Sequence, residues 1–562
     1  MTATVNAVET PGVVQSLWRR QIHHYPDTRN RIWYLAIVVA ATIMLYYELY
    51  IAGAVSPSII AGYGMTFPFY VYISVVGNVV GAFGSLAAGL SDRWGRANLV
   101  AYGLVITALL TLVGIPNASG KWTFAVLFCI IGLVEGVILV ATPALVRDFS
   151  PQLGRASAMG FWTLGPVVGS LVVAVVASNT VNHLGAWQDQ FIICGIVGLV
   201  IGAVAVFGLK ELSPQLRDQL MVSFRDRALI EARARGLNIE DSLRHPWRQM
   251  MHFDIIGSAF AISVFLLVYY TAVGFFTVYF TTLHGFSLST ANSIGDWFWG
   301  FDALALILVG IISDRVGVRK PFMVFGAIGG IVMMIVFLNL GAKTSYATFA
   351  VVISVLAVFL AIAYAPWMAS FTETVEKRNP ALTATGLAVW GWIIRVVIAI
   401  SVLILPSVIG SMTPLVTYGT QAATISATYP QQLATLAVID PGTQAAMSAN
   451  PADTAAQAKA VGEIATAFHV TPAVATSRLV ALAAIPKADQ AFLAAHGTQV
   501  ATSSAAAPGQ WKNWWWVCVG GMIAFLPFIK FMAGRWSPRK ARQDAIEHDR
   551  LIQEELASLE QA

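Results

Sequence analysis

Charge is scarce in this 562-residue chain: Asp, Glu, Lys and Arg together make up 11% of it. An ordinary soluble domain carries about 25%. The shortage excludes a large solvated enzyme. It also excludes nucleic acid as a partner, which would need a basic face on a soluble fold. Cysteine is nearly absent. The three present, Cys129, Cys194 and Cys518, each fall within an apolar run, so neither a disulfide framework nor a cysteine metal site is expected. His23 and His24 lie in a polar tail, and no cluster has metal-ligand spacing. No phosphate-binding G-x-x-x-x-G-K-[ST] occurs, which removes a nucleotide-driven engine. No cofactor is expected, and the chain does not read as an enzyme. The first 32 residues are polar without an early apolar core, unlike a cleaved signal peptide.

What remains is hydrocarbon. Hydrophobic residues are 57% of the chain, with a mean hydropathy of +0.69. Apolar runs recur that are long enough to cross ~30 Å of lipid as helices. They fall near 33–55, 67–91, 97–116, 122–146, 157–178, 190–209, 254–281, 292–313, 321–341, 347–369, 382–409 and 513–534. The spacing predicts an all-α integral membrane protein of twelve transmembrane helices. The lipid bilayer is its first partner.

The spans divide six and six. A polar N-terminal tail (1–32) precedes a first bundle (33–209). A charged segment (210–253) with helical charge spacing reads as a cytoplasmic linker. The second bundle (254–534) contains an extra segment, 411–510, rich in Ala, Thr and Gln. There "NPADTAAQAKAVGEIATAF" and "VTPAVATSRLVALAA" pair capping residues with helical apolar spacing. A small extracytoplasmic helical insertion is expected, open to an extracytoplasmic partner. Residues 535–562 read as a Pro-started amphipathic cytoplasmic helix.

The halves echo each other. "AGLSDRWGRAN" (Ala88–Asn98) and "GIISDRVGVRK" (Gly310–Lys320) end the second and eighth spans, and Asp92 and Asp314 are 222 residues apart. Pro143 and Pro366, in the fourth and tenth spans, are 223 apart. In each copy an acid and a base close a greasy helix, and Gly95 or Gly317 permits a tight reversal.

These residues carry a resemblance. The second copy matches in full the G-x-x-x-D-R-x-G-x-R-K loop motif of the major facilitator superfamily, through Gly310, Asp314, Arg315, Gly317, Arg319 and Lys320. The first copy keeps Asp92, Arg93 and Gly95 but has Ala88 for the leading glycine and Ala97 and Asn98 for the final cations; Arg96 is adjacent. The resemblance implies two pseudo-symmetric six-helix bundles that rock about a central site. It also implies that the motif's acid meets the positive N-terminal end of a helix in the opposite half, locking one state.

Charge at bilayer depth costs roughly 2.5–3.5 kcal/mol or more, so each instance asks for a partner or a job. Glu48, Glu135, Asp302 and Arg395 qualify. A buried carboxyl can carry a proton, and a buried guanidinium can grip a carboxylate in bidentate fashion. "LYYELYIAGAVSPSI" (Leu45–Ile59) resembles the first-span signature of the family's aromatic-acid and metabolite proton symporters, D-G-[FY]-D then G-x-x-x-P. Tyr47, Glu48, Gly53 and Pro57 match it; Leu45 and Tyr46 do not. The expected pathway residues are Glu48, Tyr47, Tyr50, Glu135, Asp302, Trp392 and Arg395. The last two are three apart and share a helix face. The expected function is proton-coupled uptake of a small organic anion, with protons as the coupling ion.

Two alternatives stand beside it. One is a proton-coupled efflux antiporter for amphiphilic compounds, since "GFWTLGPVVGS" (Gly160–Ser170) holds that branch's Gly-Pro-x-x-Gly core. Ser170 replaces its second paired glycine, and "GLVEG" puts Gly132 where that branch's fourth-span arginine lies. The other is a non-transporting membrane receptor.

The cations set the orientation. With both termini inside, 27 of the 34 Lys and Arg residues fall on the cytoplasmic side, six outside and one within a span. A multi-pass protein of the cell (inner or plasma) membrane with both ends cytoplasmic is expected. Reporter fusions at Ala562 should be active inside, and fusions within 411–510 active outside. The reverse pattern would overturn the topology.

Overall fold

In the computed structural model, the described residues are 18, 20–86, 94–150, 164–213, 215–216, 246–378, 383–534 and 536–540, followed by 542–543, 546–547, 550–551 and 554. Two compact units emerge: residues 1–409 with 511–562, and residues 410–510.

The first unit opens with α1 (Thr28–Ala54), α2 (Ser56–Gly62), α3 (Phe67–Leu86) and α4 (Arg96–Leu109). A π-turn at Leu110–Gly114 continues α4. The first half closes with α5 (Lys121–Phe149), α6 (Gly165–Thr180) and α7 (Gln188–Gly208). The second half begins with α8 (Phe253–Phe265) and α9 (Leu267–His284), one span interrupted at Leu266. It goes on through α10 (Leu288–Val316), α11 (Lys320–Leu338), α12 (Tyr346–Arg378) and α13 (Thr383–Val408). The second unit holds α14 (Met412–Thr428), α15 (Pro430–Ala437), α16 (Pro441–Ala449), α17 (Thr454–Phe468) and α18 (Pro472–Ala481). Helix α19 (Lys487–Phe528) supplies the last span from Trp511 onward.

Ten of these segments are long and apolar enough to cross a membrane, and α6 is a shorter apolar helix. With the end of α19 they form the twelve-helix, six-plus-six architecture. Several helices outrun the apolar runs that predicted them. The eighth reaches Val316, the tenth reaches Arg378, and the last begins at Lys487. Backbone hydrogen bonding does not stop where hydrocarbon does, so polar residues prolong the helix. Among the described residues, the one departure from all-helix is a parallel ladder, β1 (Gln21–Ile22) on β2 (Glu211–Leu212). It ties the chain's entry into the first half to its exit. That end is called the near end here; the opposite end, where α1 finishes and α10 starts, is the far end.

The two halves use the same pairings. Helix α3 packs on α5 as α10 packs on α12, α4 on α5 as α11 on α12, and α1 on α6 as α8 on α13. Pro143 and Pro366 lie inside α5 and α12, each deleting a helical hydrogen bond at a matching level. Lipid offers little hydrophobic drive between helices, so contact depends on close packing at small residues. The pairing of α3 with α5 shows this. A methyl at Gly81 would lie 2.8 Å from the Gly132 carbonyl oxygen, and one at Gly132 2.9 Å from that of Gly77. Gly165 and Gly169 likewise seat α6 on α1, against Thr42 and Tyr46. The Gly-Pro-x-x-Gly core thus has a packing role.

The second unit has its own core of Ile439, Ala460, Ile464 and Ala475, with Met447 and Phe468 packed against it. Asp440 caps α16 by accepting from the amides of Gly442 and Thr443, and Asp453 caps α17 through Ala455 and Ala456.

Gly132→Leu should force α3 and α5 apart and cost roughly 1–3 kcal/mol, as overpacking does. Gly310→Ala is the control, because nothing lies within 4 Å of a methyl there. Thermal unfolding in detergent should show a lowered midpoint for the first variant only. Equal midpoints would refute the packing argument.

Candidate functional site

Between the halves lies a group of tyrosines. Tyr46 and Tyr50, one turn apart on α1, have ring centroids 5.5 Å apart. From the other half, Tyr269 and Tyr270 on α9 and Tyr364 on α12 come within electrostatic reach of them or of each other. Trp299 lies edge-on to Tyr269 at 5.0 Å. Asp302, buried on α10, faces Tyr269 and Tyr364. Arg395 reaches this group from α13, with Tyr46 as its electrostatic neighbour. It sits 12 residues past Thr383, about 18 Å along the helix. It is half-buried, and among the described residues it has no ion-pair or hydrogen-bond partner. Trp392 does not join the group: it is 67% exposed, and no ring among the described residues packs on it.

Span one splits its candidates by direction. Tyr50 faces the centre, whereas Tyr47 and Glu48 turn into the first bundle. A methyl at Gly198 on α7 would lie 2.6 Å from Glu48 Oε1 and 2.9 Å from Ala108 Cβ. Glu135 on α5 is within electrostatic reach of Glu48, Tyr46 and Tyr50. Glu48 and Glu135 are 3% and 1% exposed, and none of their four carboxyl oxygens has a hydrogen-bond partner. Thr107, which also lies within reach of Glu48, gives its hydroxyl proton to the carbonyls of Gly103 and Leu104. Cys194 faces both acids. The geometry therefore holds two acids within electrostatic reach of each other, with no ion pair to either among the described residues.

The loop motif is a set of contacts at the near end. Gly317 ends α10 at φ 74°, its amide donating to the Ser313 carbonyl. Gly95 precedes α4 at φ 88°. Both motif glycines thus occupy the left-handed region that disfavours other residues. Arg319 pairs with Asp314 at 2.6 Å and Glu373 at 3.2 Å, and its Nη1 donates to Ser313 Oγ. In the first half Arg96, 223 residues earlier, pairs with Asp148 at 2.7 Å. The first copy's cation is therefore Arg96. Glu211, at the start of the linker, caps α4 by accepting from the amides of Arg96 at 2.6 Å and Ala97 at 3.3 Å. Neither Asp148 nor Glu211 stood out in the sequence, because their roles depend on distant segments. Asp92 and Arg93 lie outside the described residues, as does most of the 210–253 linker. Asp314 is bound within its own half, its side chain 69% exposed. Among the described residues no hydrogen bond or ion pair joins it to the other half. Arg315 closes α10 in its last turn, and Gly310 faces open space.

At the far end the halves are joined. Among the described residues, five hydrogen bonds cross between them, all at this end. Thr277 Oγ1 donates to the Gly53 carbonyl at 2.6 Å and lies 3.3 Å from Ser56 Oγ; Asn292 Nδ2 donates to the Ala54 carbonyl at 2.9 Å. Ser178 Oγ donates to Asp296 Oδ2 at 2.9 Å, and Ser289 Oγ to the Ser178 carbonyl at 2.6 Å. Gly53 lets the α1 backbone touch α9, where a methyl would strike the Val273 carbonyl oxygen. Such bonds average about 0.6 kcal/mol in membrane helices, so the seal is modest enough to open. Just inside it is a cavity of about 40 Å³ lined by Tyr50, Ser170, Phe276, Thr277, Asn292 and Trp299, with glycine and alanine between them.

Two pseudo-symmetric helical halves around a buried polar centre are the architecture of a multi-pass membrane protein. Residues 37–388 match the Major Facilitator Superfamily. The chain belongs to that family. It is 23% identical over 239 residues to the "Probable anion transporter 3, chloroplastic" of Oryza sativa subsp. japonica, covering 41% of this chain and 45% of that protein. It is 23% identical over 316 residues to the "Gallate transporter" of Pseudomonas putida, covering 53% and 69%. The chain thus spans under half of the first relative and about two thirds of the second. In fold it resembles the inward-facing, unoccupied structure of a bacterial homolog of the human lysosomal transporter Spinster. The TM-score there is 0.53 at 15% identity, covering 91% of this chain and all of the other.

The two copies of the motif differ in weight. Asp148→Asn breaks the largely buried pair with Arg96 and should cost about 3–5 kcal/mol. Asp314→Asn breaks an exposed pair and should cost less than about 1 kcal/mol. Detergent unfolding curves of the two variants should separate accordingly; coincident curves would contradict the assignment.

Proposed function

We propose that the protein carries out proton-coupled uptake of a small organic anion, with Arg395 holding its carboxylate. The observation that carries the reading is that guanidinium: half-buried, midway along a membrane helix, among tyrosines, and with no ion-pair or hydrogen-bond partner among the described residues. A cation kept at that depth without a partner is poised for an anionic ligand. Relatives named as anion and gallate transporters support the same class.

Glu48 and Glu135 are the proton carriers in this reading, with Asp302 a third carboxyl on the opposite half. Two carboxyls this close to each other and to no cation take up and release protons as a unit. Glu135 links them to the substrate, since Tyr46 lies within reach of both Glu135 and Arg395. With the near end cytoplasmic, a reading that the cation distribution supports, the far-end bonds are the outer seal. The loop motif is then the inner gate, with Asp314 biasing the balance of states.

Uptake of radiolabelled aromatic and aliphatic acids into proteoliposomes under an imposed pH gradient tests the proposal. A proton-linked carboxylate flux abolished by a protonophore is expected. Arg395→Gln should weaken binding of the transported acid by about 2–5 kcal/mol. Accumulation of lipophilic cations alone, or normal acid binding by Arg395→Gln, would overturn it.

A further inference from the structure

Among the described residues whose hydrogen bonds cross the far-end seal, Asp296 is the ionisable one. Its Oδ2 lies 2.9 Å from Ser178 Oγ on α6, across the boundary between the halves. Its Oδ1 is shut off from solvent and has no hydrogen-bond partner among the described residues.

The bonds of Ser178 decide which form of the acid the closed seal suits. Its hydroxyl has one proton and two acceptors in reach: Asp296 Oδ2, and the Val175 carbonyl at 3.1 Å on its own helix. Asn179 Nδ2 donates to the same hydroxyl oxygen at 3.2 Å. With Asp296 ionised, the Ser178 proton goes to the carboxylate, Val175 loses that donor, and Oδ1 stays buried and charged without a partner, a costly arrangement. With a proton on Asp296 Oδ2, the carboxyl donates to Ser178 Oγ, and Ser178 gives its own proton to Val175. The hydroxyl then gives one bond and receives two, its full complement. The closed seal is thus built around the neutral acid, and opening to water hydrates the carboxylate.

No counter-ion stands by among the described residues. Helices α6, α9 and α12 pack on α10. Helix α6 has no ionisable side chain. On α9, Tyr269 and Tyr270 lie in the central group, and Tyr279 and His284 among aromatic rings. On α12, Tyr346 bonds Ser293 and Trp297, Tyr364 lies at the centre, and Glu373, Lys377 and Arg378 stand at the near end. On α10 itself, Asp302 is buried at the centre and Asp314 is paired with Arg319. Beyond α6, His183 is exposed and Asp189 accepts from the Ala186 amide.

We infer that Asp296 is a proton-operated latch on the far-end seal: taking a proton from the far side closes it, and losing that proton to the same side lets it open. The proton returns to the compartment it came from, so Asp296 sets the closing equilibrium and adds nothing to net proton movement. It acts apart from Glu48 and Glu135, and independently of the ligand at the centre.

Spin labels at Ala61→Cys and Ala342→Cys, both exposed at the far end and on opposite halves, report the seal by pulsed electron paramagnetic resonance in detergent. Cys129→Ser removes the native cysteine that is not buried. The scan runs from about pH 8 to about pH 4, where protein carboxyls titrate. The short-distance population should grow as pH falls, the closed-to-open ratio rising about tenfold, the response to a tenfold difference in proton affinity between the two states. Asp296→Asn puts a fixed donor in place of the carboxyl proton and should stay closed at every pH. Asp296→Glu should restore the dependence. Ser178→Ala removes the acceptor of the added proton and should flatten the response from the other half. A wild type that ignores pH or opens as pH falls overturns the inference, as does Asp296→Asn or Ser178→Ala responding like wild type. No ligand is present, so these results leave the carboxylate reading untouched, and a failure of carboxylate uptake would leave the latch standing. The wild-type scan decides the matter even if a variant does not fold.

Discussion

Hydrocarbon cannot solvate a charge, and that constraint explains where nearly every ionisable group of the membrane unit lies. Most stand at the near end, in pairs: Arg96 with Asp148, Arg319 with Asp314 and Glu373, Arg378 with Asp254. The few held deeper are not paired in this way. Among the described residues Glu48 and Glu135 lie within reach of each other and have no cation in an ion pair, and Arg395 has Tyr46 as its electrostatic neighbour. A structural network would have brought base to acid. Here the deep acids and the deep base stand apart, on different sides of α1.

Close packing makes such separation stable. Gly77, Gly81 and Gly132 bring α3 and α5 to backbone contact, and Gly165 and Gly169 do the same for α6 on α1. Helices this close fix the directions of their neighbouring side chains. Glu135 follows Gly132 by three positions and precedes Gly136 by one, so with both glycines seated on α3 it is directed away, toward α1. The stretch "GLVEG" thus combines a packing face with a functional one, and the glycine that stands in place of an arginine serves the packing.

Much of this was legible in the sequence. Apolar runs and cation asymmetry gave the spans, and the repeated acid–base–glycine punctuation gave the two halves. The intramembrane acids and Arg395 stood out because charge in a greasy run is conspicuous. Three things were not legible. The direction of a side chain depends on which helix its own helix meets, so Glu48 and Tyr50, two positions apart, could not be assigned to different sites. Trp392 shares a helix face with Arg395 by spacing, yet is largely exposed where Arg395 is not. The far-end seal was silent because Ser178, Thr277, Ser289 and Asn292 are ordinary polar residues until two halves meet. Glu211 was silent for the same reason, its cap on α4 closing over more than 100 residues of chain.

Helix α1 connects these sites mechanically. Within Tyr46 to Ala54 it presents Glu48 to Glu135, Tyr46 to Arg395, Tyr50 to the cavity, and the carbonyls of Gly53 and Ala54 to the far-end seal. That stretch is about two and a half turns, and it ends at Val55, where the helix breaks before α2. A displacement of this short segment cannot move one site without the others. Breaking the far-end bonds would withdraw Gly53 and Ala54 from Thr277 and Asn292, and so shift Tyr50 and Glu48 against their own neighbours. The acid pair, the tyrosine centre and the far-end seal are thereby different loads on one lever. Each can bias the balance of states only by what it gains in one position over the other.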